Sequence, residues 1–149
     1  MNATKSKSRS AARLAAVQAL YQQEMEGTPL PLLLHEFHQH RLGATIEDVT
    51  YHPAEEPFFD DVVKGVDARR EEIDAHIVSR LAKGWSMERL DKPMRQILRA
   101  GTYELLARAD VPAASVISEY VDVAHAFYDK REAGFVNGLL DAIAKVVRT

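Results

Sequence analysis

Cysteine is absent from this chain, which excludes disulfides, thiol nucleophiles and thiolate metal sites and accords with a reducing compartment. No apolar run approaches the roughly 18 residues that a membrane span needs, and the basic N-terminus lacks the apolar stretch of a signal peptide. A cytoplasmic location is therefore expected. There is no Gly-rich phosphate loop after a strand and no G-x-S-x-G nucleophile motif, so nothing in the residues argues for an enzyme or a cofactor. What is present is ordinary for one soluble domain: 149 residues, 46% hydrophobic and 28% charged, enough chain to bury a core.

The charge is unevenly spread. Residues 1 to 23 hold Lys5, Lys7, Arg9 and Arg13 and no acid, so they carry +4 and the remainder carries −7 of a net −3. A basic arm on an acidic body is a candidate polyanion contact, because each cation that neutralises a phosphate releases counterions. A solubilising tail is the alternative that charge alone leaves open.

Periodicity reads as helix almost throughout. SAARLAAVQALYQQEM, from Ser10 to Met25, is rich in good helix formers and is stopped by Gly27-Thr28-Pro29. Residues 30 to 42 form a shorter helix and 43 to 57 a connection. From about Pro57 to Ala82 apolar residues recur at helical spacing, as one bent helix or two. Asp91 followed by Pro93 starts a long helix to about Ala109. A further helix carries Val116 to Tyr128, and the last runs from about Glu132 to Arg148. No strand alternation competes with these periods. The expectation is an all-α fold of about seven helices in two small packed bundles, with residues 1–8 as a flexible basic arm, about 9–82 as the first bundle and about 85–149 as the second.

Several constellations invite chemistry. HEFHQH places His35, His38 and His40 at spacings of three and five, whereas two zinc-binding histidines on one helix face need a spacing of four; a polar face is expected, with no metal. Adjacent acids such as Asp60-Asp61 diverge by about 100° on a helix and do not converge on a substrate atom. Arg95, Arg99 and Tyr103 follow one another at i, i+4 and i+8, either as a stripe for phosphate and base or as an internal ion pair and a second core layer.

GFVNGLLD, residues 134 to 141, combines a hairpin-turn signal with a helical apolar period. Projected at 100° per residue, its large apolar residues fall on one arc, while Gly134, Asn137 and Gly138 fall on the arc turned away from the core. Glycine in an exposed helix interior costs about 1 kcal/mol relative to alanine. Close approach of another helix or of a nucleic-acid strand would account for that cost; a frayed terminal helix with neutral glycines is the alternative.

RSAARLAAVQALYQ at 9–22, WSMERLDKPMRQILRAGTYELL at 85–106, DVPAASVISEYVDVAHAF at 110–127 and GFVNGLLD together resemble the NusB transcription antitermination factors, in order and over nearly the whole chain. The resemblance implies a non-enzymatic RNA-binding fold of two helical bundles. Its implied partners are boxA RNA of ribosomal RNA leader transcripts, NusE, which is a small-subunit ribosomal protein, and an RNA polymerase antitermination complex with other Nus factors. Carried over by position, it implies RNA contacts at Lys5, Lys7, Arg9, Arg13, Arg99, Phe135 and Asn137, and NusE contacts at Tyr21 and Met94. RSAAR is sparser in arginine than the family's usual first helix, and Met94 stands where members often carry an acid. Monomers and homodimers both occur in the family. The competing readings are the NusB-like domain of ribosomal RNA cytosine methyltransferases, which would need a catalytic domain and a cysteine, and a helical protein-interaction module that never meets RNA.

Overall fold

A computed structural model describes residues 2–40, 45–46, 49–50 and 56–148. Among these residues there are seven α-helices: α1 (Asn2–Glu26), α2 (Leu30–His40), α3 (Glu56–Ala68), α4 (Arg70–Val78), α5 (Lys92–Ala107), α6 (Ala113–His125) and α7 (Lys130–Val147). Two departures from the expected elements stand out. The first helix starts at Asn2 rather than Ser10, in keeping with the lack of Gly or Pro between Asn2 and Ser10 that would stop it. In the connection before α3, two-residue strands pair antiparallel, Thr45 with Thr50 and Ile46 with Val49, too short for any alternation to show in the sequence. None of the described helices is long and apolar enough to cross a membrane.

The chain divides into two compact units, Met1–Lys64 and Gly65–Thr149, so the division falls inside α3 rather than at about 82–85. In the first unit α1 buries an alanine-rich stripe, Ala12, Ala15, Ala16 and Ala19, and packs against α2. Phe37 of α2 stacks on Phe59 of α3, ring centroids 5.5 Å apart. Gln22 Nε2 donates to Glu36 Oε2 at 2.9 Å, and His38 Nε2 lies 2.6 Å from Asp60 Oδ1, so polar pairs join α1 to α2 and α2 to α3. Gly27, at φ +68°, ends α1 in the left-handed conformation that glycine adopts without steric cost, its N–H donating to Gln23 O.

The second unit is built around α5, buried on every side from Gln96 to Leu105. Asp91 caps it, accepting from Met94 N, with Pro93 in the first turn. At the other end Arg148 Nε donates to Leu105 O at 2.7 Å and Nη2 to Arg108 O at 2.9 Å, satisfying carbonyls that a helix C-terminus leaves without partners. Tyr120 of α6 donates to Glu104, so the buried carboxyl is hydrogen-bonded. The question of one bent helix or two between 57 and 82 resolves as two: the break is at Arg69, yet its N–H still bonds Gly65 O and its carbonyl still accepts from Ile73. α6 ends at His125, short of Tyr128, and α7 starts at Lys130. In α7 the apolar arc is buried at Val136, Leu139, Leu140 and Ile143, while its edges, Phe135 and Val146, are exposed.

Glycines at two kinds of position behave oppositely. A Cβ on Gly65 would collide with the buried Tyr103 ring, whereas one on Gly138 would meet nothing within 4 Å. Gly65→Ala is expected to destabilise the protein by roughly 1–3 kcal/mol through overpacking, and Gly138→Ala to stabilise it by up to about 1 kcal/mol through helix propensity. Urea denaturation of both variants reads the two signs.

Candidate nucleic-acid interface

In the first unit, Arg9 and Arg13 lie one turn apart on α1, and both guanidinium groups sit over the Phe58 ring, 4.7 and 4.8 Å from its centroid. An aromatic face attracts cations through its quadrupole, so the ring holds the two positive charges side by side against their mutual repulsion. Arg9 is half-buried; Arg13, only 4% exposed, has a packing role that its sequence position did not reveal. Lys5 and Lys7 belong to the same helix, and their side chains lie outside the described residues. Tyr21 is exposed, with Met25 exposed one turn later.

In the second unit Arg99 and Tyr103 of the stripe are internal and Arg95 is half-buried. Arg99 is 8% exposed and makes a bidentate pair with Asp74 of α4, Nε to Oδ1 at 2.9 Å and Nη2 to Oδ2 at 3.0 Å. The placement of Arg99 on an outer RNA surface is thereby corrected: α4 covers this side of α5, and a guanidinium taken out of water requires a carboxylate. Tyr103 packs against Gly65, and Arg95 Nε donates to Leu90 O.

On α7, Gly134, Asn137 and Gly138 are all exposed, and nothing among the described residues comes within 4 Å of where a Cβ on either glycine would be. No helix among the described residues therefore explains them. Phe135, 40% exposed, and the buried Met94 line one groove of about 490 Å³.

The sequence model of the NusB family matches residues 10–145. The chain belongs to the NusB family. It is 71% identical over 144 residues to the transcription antitermination protein NusB of Sphingopyxis alaskensis, covering 97% of each chain. It is 72% identical over 142 residues to that of Novosphingobium aromaticivorans, covering 95% of this chain and 96% of the relative. Among solved structures, a crystal structure of the antitermination factors NusB and NusE in complex with dsRNA contains a similar chain. The two are 26% identical with a TM-score of 0.79, over 94% of this chain and 98% of that one. Family membership places the chain among antitermination factors rather than enzymes.

NusB resemblance by position led to Met94 and Phe135 but not to the residues beside them. Trp85, Arg89 and Arg131 line the same groove. Trp85, the sole tryptophan, is 49% exposed, with the Arg89 guanidinium 5.4 Å from its ring, while Arg89 Nη1 donates to Gly84 O. A tryptophan in a turn outside any helical apolar period was the available signal. Asp91 also borders the groove and accepts from the Tyr128 hydroxyl; burial, then this bond, holds that phenol well above its ordinary range.

Because Arg99 and Asp74 satisfy each other inside the unit, Arg99→Ala is expected to cost about 3 kcal/mol, the lower end of the range for a broken buried pair since Asp74 is partly exposed. A double-mutant cycle with Asp74→Ala in thermal or urea denaturation should return a large coupling energy. Additive losses would remove the pair as an organising contact.

Proposed function

We propose that this chain binds boxA RNA of ribosomal RNA leader transcripts together with NusE, and that with RNA polymerase and other Nus factors it suppresses premature termination. The observation that carries this reading is the likeness, over nearly the whole chain, to NusB in a structure that also contains NusE and RNA. The charge distribution supports it: the four cations before residue 24, with no acid among them, supply phosphate contacts on a chain of net charge −3. So do the exposed Gly134, Asn137 and Gly138, whose bare backbone admits close approach.

Within this reading Arg9, with Lys5 and Lys7, neutralises phosphates, and Phe135 and Asn137 contact the RNA from α7. Arg13 contributes charge from behind Arg9 while packing on Phe58. Tyr21 and the groove edge at Met94 meet NusE. The site of action is cytoplasmic.

Anisotropy of labelled boxA RNA, measured at several salt concentrations with and without NusE, tests the proposal. Binding that weakens with salt and tightens with NusE is expected; no binding in either case would overturn it. Arg9→Ala should weaken binding to all RNA sequences alike and reduce the magnitude of the salt slope by about 1, as loss of one phosphate contact does.

A further inference from the structure

We infer that the groove flanked by Trp85 and Phe135 takes one unstacked base of single-stranded RNA, with Arg131 meeting an adjacent phosphate. This rests on the RNA-binding reading above and adds residues to it.

Two large aromatic side chains, each 40% or more exposed, border one groove of about 490 Å³ that also has Leu90 and Met94 in its lining. Leaving both rings in water forgoes the stabilisation that burial of an aromatic side chain brings. Trp85 keeps half its surface exposed even with the Arg89 guanidinium over it, and a base extends that stack in the way aromatic platforms receive single strands.

Charge selects the occupant. Of the four charged groups at the groove, Asp91 is committed internally, accepting from Met94 N and from the Tyr128 hydroxyl. Glu132 lies in the first turn of α7, where the helix N-terminus stabilises a carboxylate. Arg131 makes no hydrogen bond or ion pair with any described residue, so its charge is available to a phosphate. A partner helix would need a carboxylate placed for Arg131 in addition to its apolar anchors, whereas every nucleotide supplies a ring and a phosphate together.

The placement of Arg131 adds direction. Arg131, Gly134 and Gly138 occupy i, i+3 and i+7 of α7, one face of the helix, and both glycines are open to approach. A strand anchored by a base in the groove and a phosphate on Arg131 therefore continues along bare helix backbone, where side chains would hold it off.

Because Trp85 is the sole tryptophan, the intrinsic fluorescence of the full chain reports on this groove. A single-stranded boxA oligonucleotide should quench it in step with binding read by anisotropy. Trp85→Ala should lower RNA affinity roughly 5- to 100-fold, the range for losing one base–aromatic stack, and Trp85→Phe should retain most of it. Arg131→Gln should reduce the magnitude of the salt slope by about 1. RNA that binds without quenching and with equal affinity for Trp85→Ala overturns the groove assignment and leaves the RNA-binding reading standing. Trp85→Ala that loses NusE but not RNA assigns the groove to protein and also overturns it. Failure of the unaltered chain to bind RNA at all removes both.

Discussion

The burial of α5 on every side from Gln96 to Leu105 is the constraint on which the second unit depends. Where a helix has neighbours on every side it has no face to give to water, so each buried charge and each irregularity along it calls for an internal answer. Arg99 is answered by Asp74, Glu104 by Tyr120, and the C-terminal carbonyls by Arg148. Gly101 answers the crowding itself: a Cβ there would lie 2.8 Å from Leu140 Cδ1, so the bare backbone leaves room for Leu140 of α7 against α5. These pairings draw α4, α6 and the end of α7 onto the same central helix, which fixes where the outer faces of α7 point.

That arrangement separates two kinds of glycine and two kinds of arginine, which sequence alone makes look alike. Gly65 and Gly101 are small because protein fills the space beside them, whereas Gly134 and Gly138 face open space. Arg99 spends its charge on Asp74 inside the unit, whereas Arg131 keeps its charge at the rim of a groove. The surface proposed for RNA consists of what internal packing left exposed: Trp85, Phe135, Arg131 and the bare stripe of α7.

Much of the fold was legible because apolar periodicity reflects burial directly. The α7 projection placed Val136, Leu139, Leu140 and Ile143 inward and Gly134, Asn137 and Gly138 outward, as they are. Asp91 and Pro93 marked the start of α5 because capping depends on local chemistry. Less was legible for the candidate site. The Arg95, Arg99 and Tyr103 stripe had a regular spacing, but spacing does not say which neighbour covers a face, and α4 covers this one. Arg13 looked like an outward cation and is 4% exposed, because Phe58, distant in sequence, comes to lie beneath it.

By itself, then, the sequence determined the helical class, the order of the helices, the basic character of α1, the exposed glycine and asparagine face of α7 and the family. Each of these follows from local periodicity, capping or composition, or from motifs contiguous in the chain. Tertiary structure alone decided which arginines are paired internally, why a side chain at Gly65 would crowd Tyr103, and that Trp85, Arg89, Arg131 and Phe135 share one groove. Those outcomes depend on desolvation and close packing between segments far apart in the chain, and no local pattern encodes which segments will meet.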